Sequence, residues 1–267
     1  MRYGIILPGG TASEQVEQAI AAERAGWDGI FVWETAYGVD AWALLGAVAA
    51  RTEKVVLGTM LTPLPWRRPW KLASQAETVD QLSGGRLVLT VGIGAVDPVL
   101  PQSPAEPTER AVRAAMLDEG IDLMRTLWAG GQEHVGEHYS FTRGGPDFAT
   151  GGGVRERIPI WVPVRWPKPK SLLRGARCEG VVPEFVEVGD IAAMRTWLAE
   201  HGAAADLDVT SEGETPADDA AAAAELVRPW AQAGCTWWLE SKWQPPESGE
   251  PLVQFVNRRI AAGPPRV

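Results

Sequence analysis

The stretch YGIILPGGTASEQVEQAIAAERAGWDGIFVW, residues 3–33, predicts one complete repeat of strand, helix and strand. Its two ends, Tyr3–Leu7 and Gly29–Trp33, are short apolar runs typical of buried strands. The polar and apolar residues between them are typical of a surface helix. Helices that alternate with apolar strands favour a sheet of parallel strands.

The same pattern continues until eight strand-like runs have occurred. The six further runs are Val55–Met60, Leu87–Val91, Pro159–Val164, Gly180–Pro183, Leu207–Thr210 and Thr236–Leu239. Eight such alternations predict an α/β fold of the (β/α)8, or TIM barrel, type. The chain has 267 residues, close to the length of about 250 that is typical of this barrel, so one domain spanning residues 1–267 is expected. In such barrels the chemistry lies in the loops that follow the strands.

Caps and stops mark several of the helices. Thr11 or Ser13 can cap the first helix, and Asp40 can cap the second. Gly26 and Gly234 are glycines of the type that ends a helix.

Two segments break the regular alternation. Residues 95–108, after the fourth strand, form a proline-rich stretch that predicts a lid-like loop. Residues 131–157 lie between the fourth helix and the fifth strand, and they predict a small hairpin followed by a glycine-rich connection. We interpret this second segment as an insertion within the barrel and not as a second domain.

Composition argues against several classes of partner. The chain has 25 basic and 34 acidic residues and a formal net charge of −9, so it offers no general basic face to nucleic acid. It has no run of 18 apolar residues, and its amino terminus lacks an apolar leader, so no membrane partner and a cytoplasmic location are expected. Its two cysteines and three histidines have no metal-ligand spacing, and no metal site is predicted.

Three stretches around the third strand carry a family resemblance. They are GTMLTP at residues 58–63, RRPWKLA at residues 67–73 and DQLSGGRL at residues 80–87. They resemble the bacterial luciferase-like monooxygenase superfamily, which includes flavin-dependent monooxygenases and reductases that use the deazaflavin coenzyme F420. Residues 110–128 and 234–240 are similar to the fourth helix and the final strand of that family, so the likeness covers nearly the whole chain.

The resemblance implies a luciferase-like barrel with a flat redox ring across the carboxyl end of its strands. The ring would belong to FMN or to coenzyme F420, and the sequence does not separate the two. FMN would imply oxygen chemistry on a small organic substrate, as in a monooxygenase, whereas F420 would imply hydride transfer. Thr59 or Met60 is expected to approach the ring through a bulge at the end of the third strand. A homodimer is also implied.

Eight residues are candidates for cofactor binding by their position at strand ends: Trp33, Thr59, Met60, Thr62, Gly92, Gly94, Gly213 and Thr215. Gly92 and Gly94 would let the backbone approach a ring or phosphate, although a tight turn explains them as well. Gly213 and Thr215 follow the seventh strand, where barrels often bind phosphate. A helix cap by Thr215 is an equally good explanation.

Glu34 and Tyr37, after the second strand, are the candidate catalytic residues. Relatives often have Asp-His where this chain has Glu34-Thr35, and sugar-phosphate dehydrogenases of the superfamily carry a glutamate where Ala95 stands. A sugar-phosphate dehydrogenase is therefore disfavoured. Glu34 could act as an acid or base if burial raised its pKa, or it could pair with a neighbouring arginine. The missing groups leave open a non-catalytic carrier of flavin or deazaflavin. A cofactor-free isomerase or lyase would need a clearer set of acids and bases.

Overall fold

The computed structural model describes residues 1–95, 107–144, 154–155, 157–244, 247 and 249–267. The expected lid at 95–108 and the glycine-rich connection of the insertion lie mostly outside the described residues. The strands are β1 (Arg2–Leu7), β2 (Gly29–Val32), β3 (Val56–Thr59), β4 (Thr62–Pro63), β5 (Leu87–Gly92), β6 (Glu133–Val135), β7 (Ser140–Thr142), β8 (Ile160–Arg165), β9 (Gly180–Glu184), β10 (Asp208–Gly213) and β11 (Trp237–Glu240). The helices are α1 (Ala12–Arg24), α2 (Ala41–Ala49), α3 (Pro69–Ser83), α4 (Arg110–Trp128), α5 (Pro169–Ala176), α6 (Val188–Glu200), α7 (Ala220–Ala233) and α8 (Leu252–Ala261).

Eight parallel strands close into a barrel. In order around the ring they are β1, β2, β3, β5, β8, β9, β10 and β11, and β11 returns to β1. The fourth strand of the barrel is therefore β5, the fifth is β8 and the eighth is β11. The predicted (β/α)8 barrel is confirmed, because each of the eight apolar runs contributes one strand of this ring.

Local sequence explains where the helices begin and end. Thr11 caps α1, and its side chain and that of Glu14 form a reciprocal capping box. Asp40 caps α2 by accepting a hydrogen bond from the backbone N–H of Ala43. Gly234 ends α7 with a φ of 106°, a left-handed conformation that glycine adopts without steric cost.

The third barrel strand is built in two parts, β3 and β4, that both pair with β5. Gly58 pairs with Val88, whereas Thr62 pairs with Val91, so four steps along one strand match three steps along the other. One additional residue therefore lies in the third strand, which is the definition of a β-bulge. The peptide bond between Met60 and Leu61, inside the bulge, is cis. The expected bulge is present at the end of this strand.

The inserted hairpin consists of β6 and β7, which pair antiparallel. The Glu119 carboxylate on α4 accepts hydrogen bonds from the backbone N–H groups of His138 and Tyr139, at 2.8 and 2.7 Å. Phe141 stacks on Trp70 of α3 with ring centroids 5.3 Å apart. The hairpin is thus attached to the outside of the barrel and leaves the ring of strands uninterrupted.

Aromatic side chains fill the inside of the barrel. Phe31, Trp161 and Trp237 contact one another with ring centroids 5.5–5.9 Å apart. Gly180 makes room for this packing, since a Cβ there would lie 2.3 Å from Trp161. The interior is therefore a packed core, and space for a ligand is left at the ends of the strands. In the described part of the chain, no helix is both long enough and apolar enough to span a bilayer.

Candidate functional site

A cavity of about 1280 Å³ opens at the carboxyl ends of the barrel strands. Its walls come from the residues that end β2, β3, β5, β8 and β9, from the segment after β11, and from helices α4 and α5. In barrels of this type, the loops at the carboxyl ends of the strands form the ligand site. The cavity is larger than most small-molecule sites, which measure roughly 300–1,000 Å³, so it has room for two ligands side by side.

Half of the predicted cofactor residues line this cavity and half do not. Trp33, Met60, Gly92 and Gly94 are in its wall. The other four, Thr59, Thr62, Gly213 and Thr215, are not among its lining residues. The Thr59 hydroxyl is fully buried and donates a hydrogen bond to the carbonyl oxygen of Thr90, at 2.9 Å, so it fixes two strands to each other.

Gly213 and Thr215, the two residues predicted to bind phosphate after the seventh strand, contact other side chains of the protein. The backbone N–H and the hydroxyl of Thr215 both donate hydrogen bonds to the Glu240 carboxylate, each at 2.7 Å. The Arg259 guanidinium lies 3.5 Å from the same carboxylate and also donates to the Thr215 hydroxyl. A Cβ on Gly213 would lie 2.6 Å from the Trp238 ring. The buried carboxylate of Glu240 therefore binds the Thr215 groups that the sequence predicts to bind an anionic ligand.

The sequence left two interpretations of Glu34 open, an acid or base at the site or a partner of a neighbouring arginine, and the structure has features of both. Glu34 lines the cavity, yet its side chain is only 7% exposed. Its Oε1 atom accepts hydrogen bonds from Nε of Arg67, at 2.6 Å, and from Nη2 of the same residue. Burial raises the pKa of Glu34, and the positive charge of Arg67 acts in the opposite direction. Tyr37, the second catalytic candidate, is 89% exposed and does not line the cavity.

Four exposed cations border one side of the cavity: Arg110, Arg165, Lys168 and Lys170. We call them the cationic rim. Within the part of the chain that the structure describes, none of the four is ion-paired. Lys168 and Lys170 flank the first residue of α5, where the helix dipole adds positive potential. The rim is therefore suited to an anion even though the chain as a whole carries a charge of −9.

Two further groups stand beside the cationic rim. Burial raises the pKa of Glu184, and the charges of Arg110 and Arg165 act in the opposite direction. Phe185 follows β9, is 85% exposed and has a φ of 54°, a left-handed conformation that costs a non-glycine residue about 1–2 kcal/mol. Arg165 lies over its ring at 5.1 Å. Residues held in such conformations are concentrated at ligand-binding sites.

The sequence analysis did not identify most of the residues on the side of the cavity that carries the cationic rim. Arg110, Lys168, Lys170 and Phe185 were not among the candidates, because they come from two helix starts and one loop that only the fold brings together. A partial signal existed in Lys168 and Lys170, which surround a proline just after a predicted strand. Phe185 had no signal, since nothing in the sequence shows its backbone conformation.

The conformation of Gly94 gives a first testable prediction. Its φ is 72°, and a Cβ would lie 2.8 Å from Cβ of Pro63 in β4, which has little freedom to move. Gly84 has a similar φ of 68°, but a Cβ there has nothing within 4 Å. Both Gly→Ala changes incur left-handed strain, but only Gly94→Ala adds overpacking. We expect Gly94→Ala to lower the free energy of unfolding by about 1–3 kcal/mol more than Gly84→Ala does, measured by urea denaturation. Equal losses in the two variants would contradict this account.

The fold and the cavity together define a (β/α)8-barrel protein with a large cavity at its mouth. The chain belongs to the luciferase-like monooxygenase family, whose family model matches residues 1–252. That family contains flavin- and deazaflavin-dependent oxidoreductases.

Two curated relatives illustrate the similarity. A putative coenzyme F420-dependent oxidoreductase of Mycobacterium tuberculosis is 32% identical over 198 residues, which cover 69% of this chain and 54% of the relative. An F420-dependent glucose-6-phosphate dehydrogenase of Nakamurella multipartita is 38% identical over 139 residues, which cover 48% of this chain and 40% of the relative. This chain thus spans about half the length of the curated relatives that it matches.

Solved structures show the same fold at lower identity. An F420-dependent secondary alcohol dehydrogenase, in complex with an F420–acetone adduct, superimposes with a TM-score of 0.77 at 17% identity and covers 97% of both chains. A type II Baeyer–Villiger monooxygenase of Pseudomonas putida, in complex with FMN, superimposes with a TM-score of 0.65 at 21% identity, covering 85% of this chain and 71% of that one.

Proposed function

We propose that this chain is an oxidoreductase that binds the ring of F420 or FMN in the cavity and acts on a small organic substrate. The observation that carries the proposal is the pairing of a wide cavity at the strand ends with a cationic rim on one side of it. The family and the F420-dependent relatives support the same conclusion. A cytoplasmic homodimer remains our expectation from the sequence.

The residues present fit a tricyclic cofactor with an anionic tail. Met60, Leu61 and Ile93 give the cavity apolar walls for a flat ring. The cationic rim offers four charges to the tail, which carries one phosphate in FMN and a phosphate with several carboxylates in F420. Four exposed cations interact more strongly with several negative charges than with one, so the rim favours F420. FMN is the alternative cofactor.

The cofactor, when bound, supplies the redox chemistry, which is hydride transfer with F420 or oxygen chemistry with FMN. The chain's own residues would position the ring and exclude water. Glu34 can hold a proton at the edge of the cavity, because burial raises its pKa. Arg67 donates hydrogen bonds only to the Oε1 atom of that carboxyl, and the Oε2 atom is buried.

Direct titration tests the proposal. The purified chain is mixed with F420 and, separately, with FMN, and the absorbance and fluorescence of each cofactor are followed. We expect saturable binding of F420 and weaker binding of FMN. Failure of both cofactors to bind would overturn the proposal. Tight binding without turnover over a panel of alcohols and carbonyl compounds would instead favour the non-catalytic carrier.

The Glu34–Arg67 pair predicts a specific pH response. Replacing Arg67 by methionine removes the charge that lowers the pKa of Glu34, so the carboxyl should lose its proton at a higher pH than in the wild type. Carbon-13 NMR of chains labelled at glutamate, with Glu34→Gln to assign the signal, would follow this titration without any substrate.

The adjacent Arg68 provides the matched control for that experiment. It is exposed and makes no hydrogen bond to Glu34, so Arg68→Met should leave the titration unchanged. A Glu34 titration in Arg67→Met that superimposes on that of the wild type would show that the pair does not set this pKa.

A further inference from the structure

Two tryptophans stand on the side of the mouth opposite the cationic rim. Trp33 follows β2, Trp243 follows β11, and β1 lies between these two strands. Going around the ring from β1, strand β8 with Arg165 is four strands away in either direction. The cavity, which all three residues line, therefore has two chemically different ends.

The structure fixes both rings by hydrogen bonds of their indole N–H groups. Trp33 donates to the carbonyl oxygen of Pro8, at 2.9 Å, and Trp243 donates to Oε1 of Glu212, also at 2.9 Å. The two rings meet edge to face, with centroids 6.1 Å apart and an angle of 83° between their planes. Because the donors are already used, these side chains offer a ligand only carbon surface. Trp33 and Trp243 nevertheless remain 36% and 41% exposed, which is unusual for such large apolar groups.

The charges on this side differ from those of the rim. The nearby cations Arg67 and Lys242 are both ion-paired, Arg67 with Glu34 and Lys242 with Glu214. The carboxylate of Glu212 lies directly against the Trp243 ring. A phosphate or carboxylate at this end would thus meet acidic groups and cations that are already neutralised, and it would lose its hydration without compensation.

We propose that the Trp33–Trp243 side is the substrate subsite and that it takes an uncharged, largely apolar ring compound, in contrast to a sugar phosphate or an organic acid. The inference rests on the proposed function, in that the rim is assigned to the cofactor tail and the opposite end is left to the substrate. The size of the cavity is sufficient for both ligands.

Three probes of equal size and different charge test the subsite: 2-naphthalenemethanol, 2-naphthoate and protonated 2-naphthylmethylamine. Each is titrated into the full chain by calorimetry, with and without saturating F420. We expect the neutral alcohol to bind at least tenfold more tightly than either charged probe. If neither cofactor binds, the proposed function fails, but the titration without cofactor still reports on the subsite.

Variants locate the binding. Trp243→Leu should weaken binding of the alcohol at least fivefold, and Trp243→Phe should restore most of it, because phenylalanine returns an aromatic face. The double variant Lys168→Ala/Lys170→Ala, on the opposite side, should leave the affinity for the alcohol unchanged. Affinity for F420 should stay within twofold in Trp243→Leu, which separates this subsite from the cofactor site.

Several results would overturn the inference. One is tighter binding of the naphthoate or of the ammonium probe than of the alcohol. Another is an affinity for the alcohol that Trp243→Leu does not weaken. The third is that none of the three probes binds.

Discussion

Replacing Glu240 by alanine is expected to lower the free energy of unfolding by about 3–5 kcal/mol, the usual range when one member of a buried ion pair is removed. The Glu240 and Arg259 side chains are only 5% and 4% exposed. The carboxylate also accepts hydrogen bonds from Thr215 and from the indole N–H of Trp238. Its loss would leave a guanidinium buried beside three donors that have no acceptor. Chemical denaturation of the wild type and the variant would measure the loss.

Glu250 supplies the control for that experiment. It also pairs with an arginine of α8, Arg258, at 2.5 Å, but this pair is at the surface. Glu250→Ala should therefore lower the free energy of unfolding far less than Glu240→Ala does, because an exposed ion pair contributes little to stability. Similar losses in Glu240→Ala and Glu250→Ala would show that the buried network does not stabilise the barrel in the way its geometry indicates.

The second large effect is expected from reversing charge at the cationic rim. The triple variant Arg165→Glu/Lys168→Glu/Lys170→Glu should weaken F420 binding by about ten- to hundredfold, since each exposed ion pair contributes roughly 0.2–1 kcal/mol and reversal adds repulsion. FMN, with a single phosphate, should lose less affinity. The affinity of the wild type for F420 should also fall as salt is added, because salt screens exposed charges.

A matched triple variant separates the local effect from the change in net charge. Arg24, Arg51 and Lys54 are exposed at the opposite end of the barrel, near the starts of the strands. Their replacement by glutamate changes the net charge by the same amount and should leave F420 binding nearly unchanged. Equal losses in the two triple variants would remove the rim from the proposed cofactor site, whereas the barrel and the family assignment would stand.

The residues in the cavity wall show which parts of the site local sequence patterns can predict. The sequence predicts that Trp33, Met60, Gly92 and Gly94 lie at this rim, because parallel strands of a barrel bring their carboxyl ends together, but it does not predict which residues at the strand ends face the cavity. Thr215 was placed at the correct strand end, but its direction was not predictable. Its partner Glu240 lies 25 residues further along the chain, and the contact depends on how β10 and β11 pair.

What the sequence determined by itself is the ring of eight strands and the limits of several helices. Apolar runs, the capping residues Thr11 and Asp40, and the stop glycine Gly234 act over a few residues, so their effect is visible without the fold. Only the tertiary structure decided which charges meet. It pairs Arg67 with Glu34, brings the cations of the rim to one side of the cavity and sets Trp243 against Trp33, 210 positions earlier in the chain. These contacts join distant segments through the closure of the barrel, and no local pattern records them.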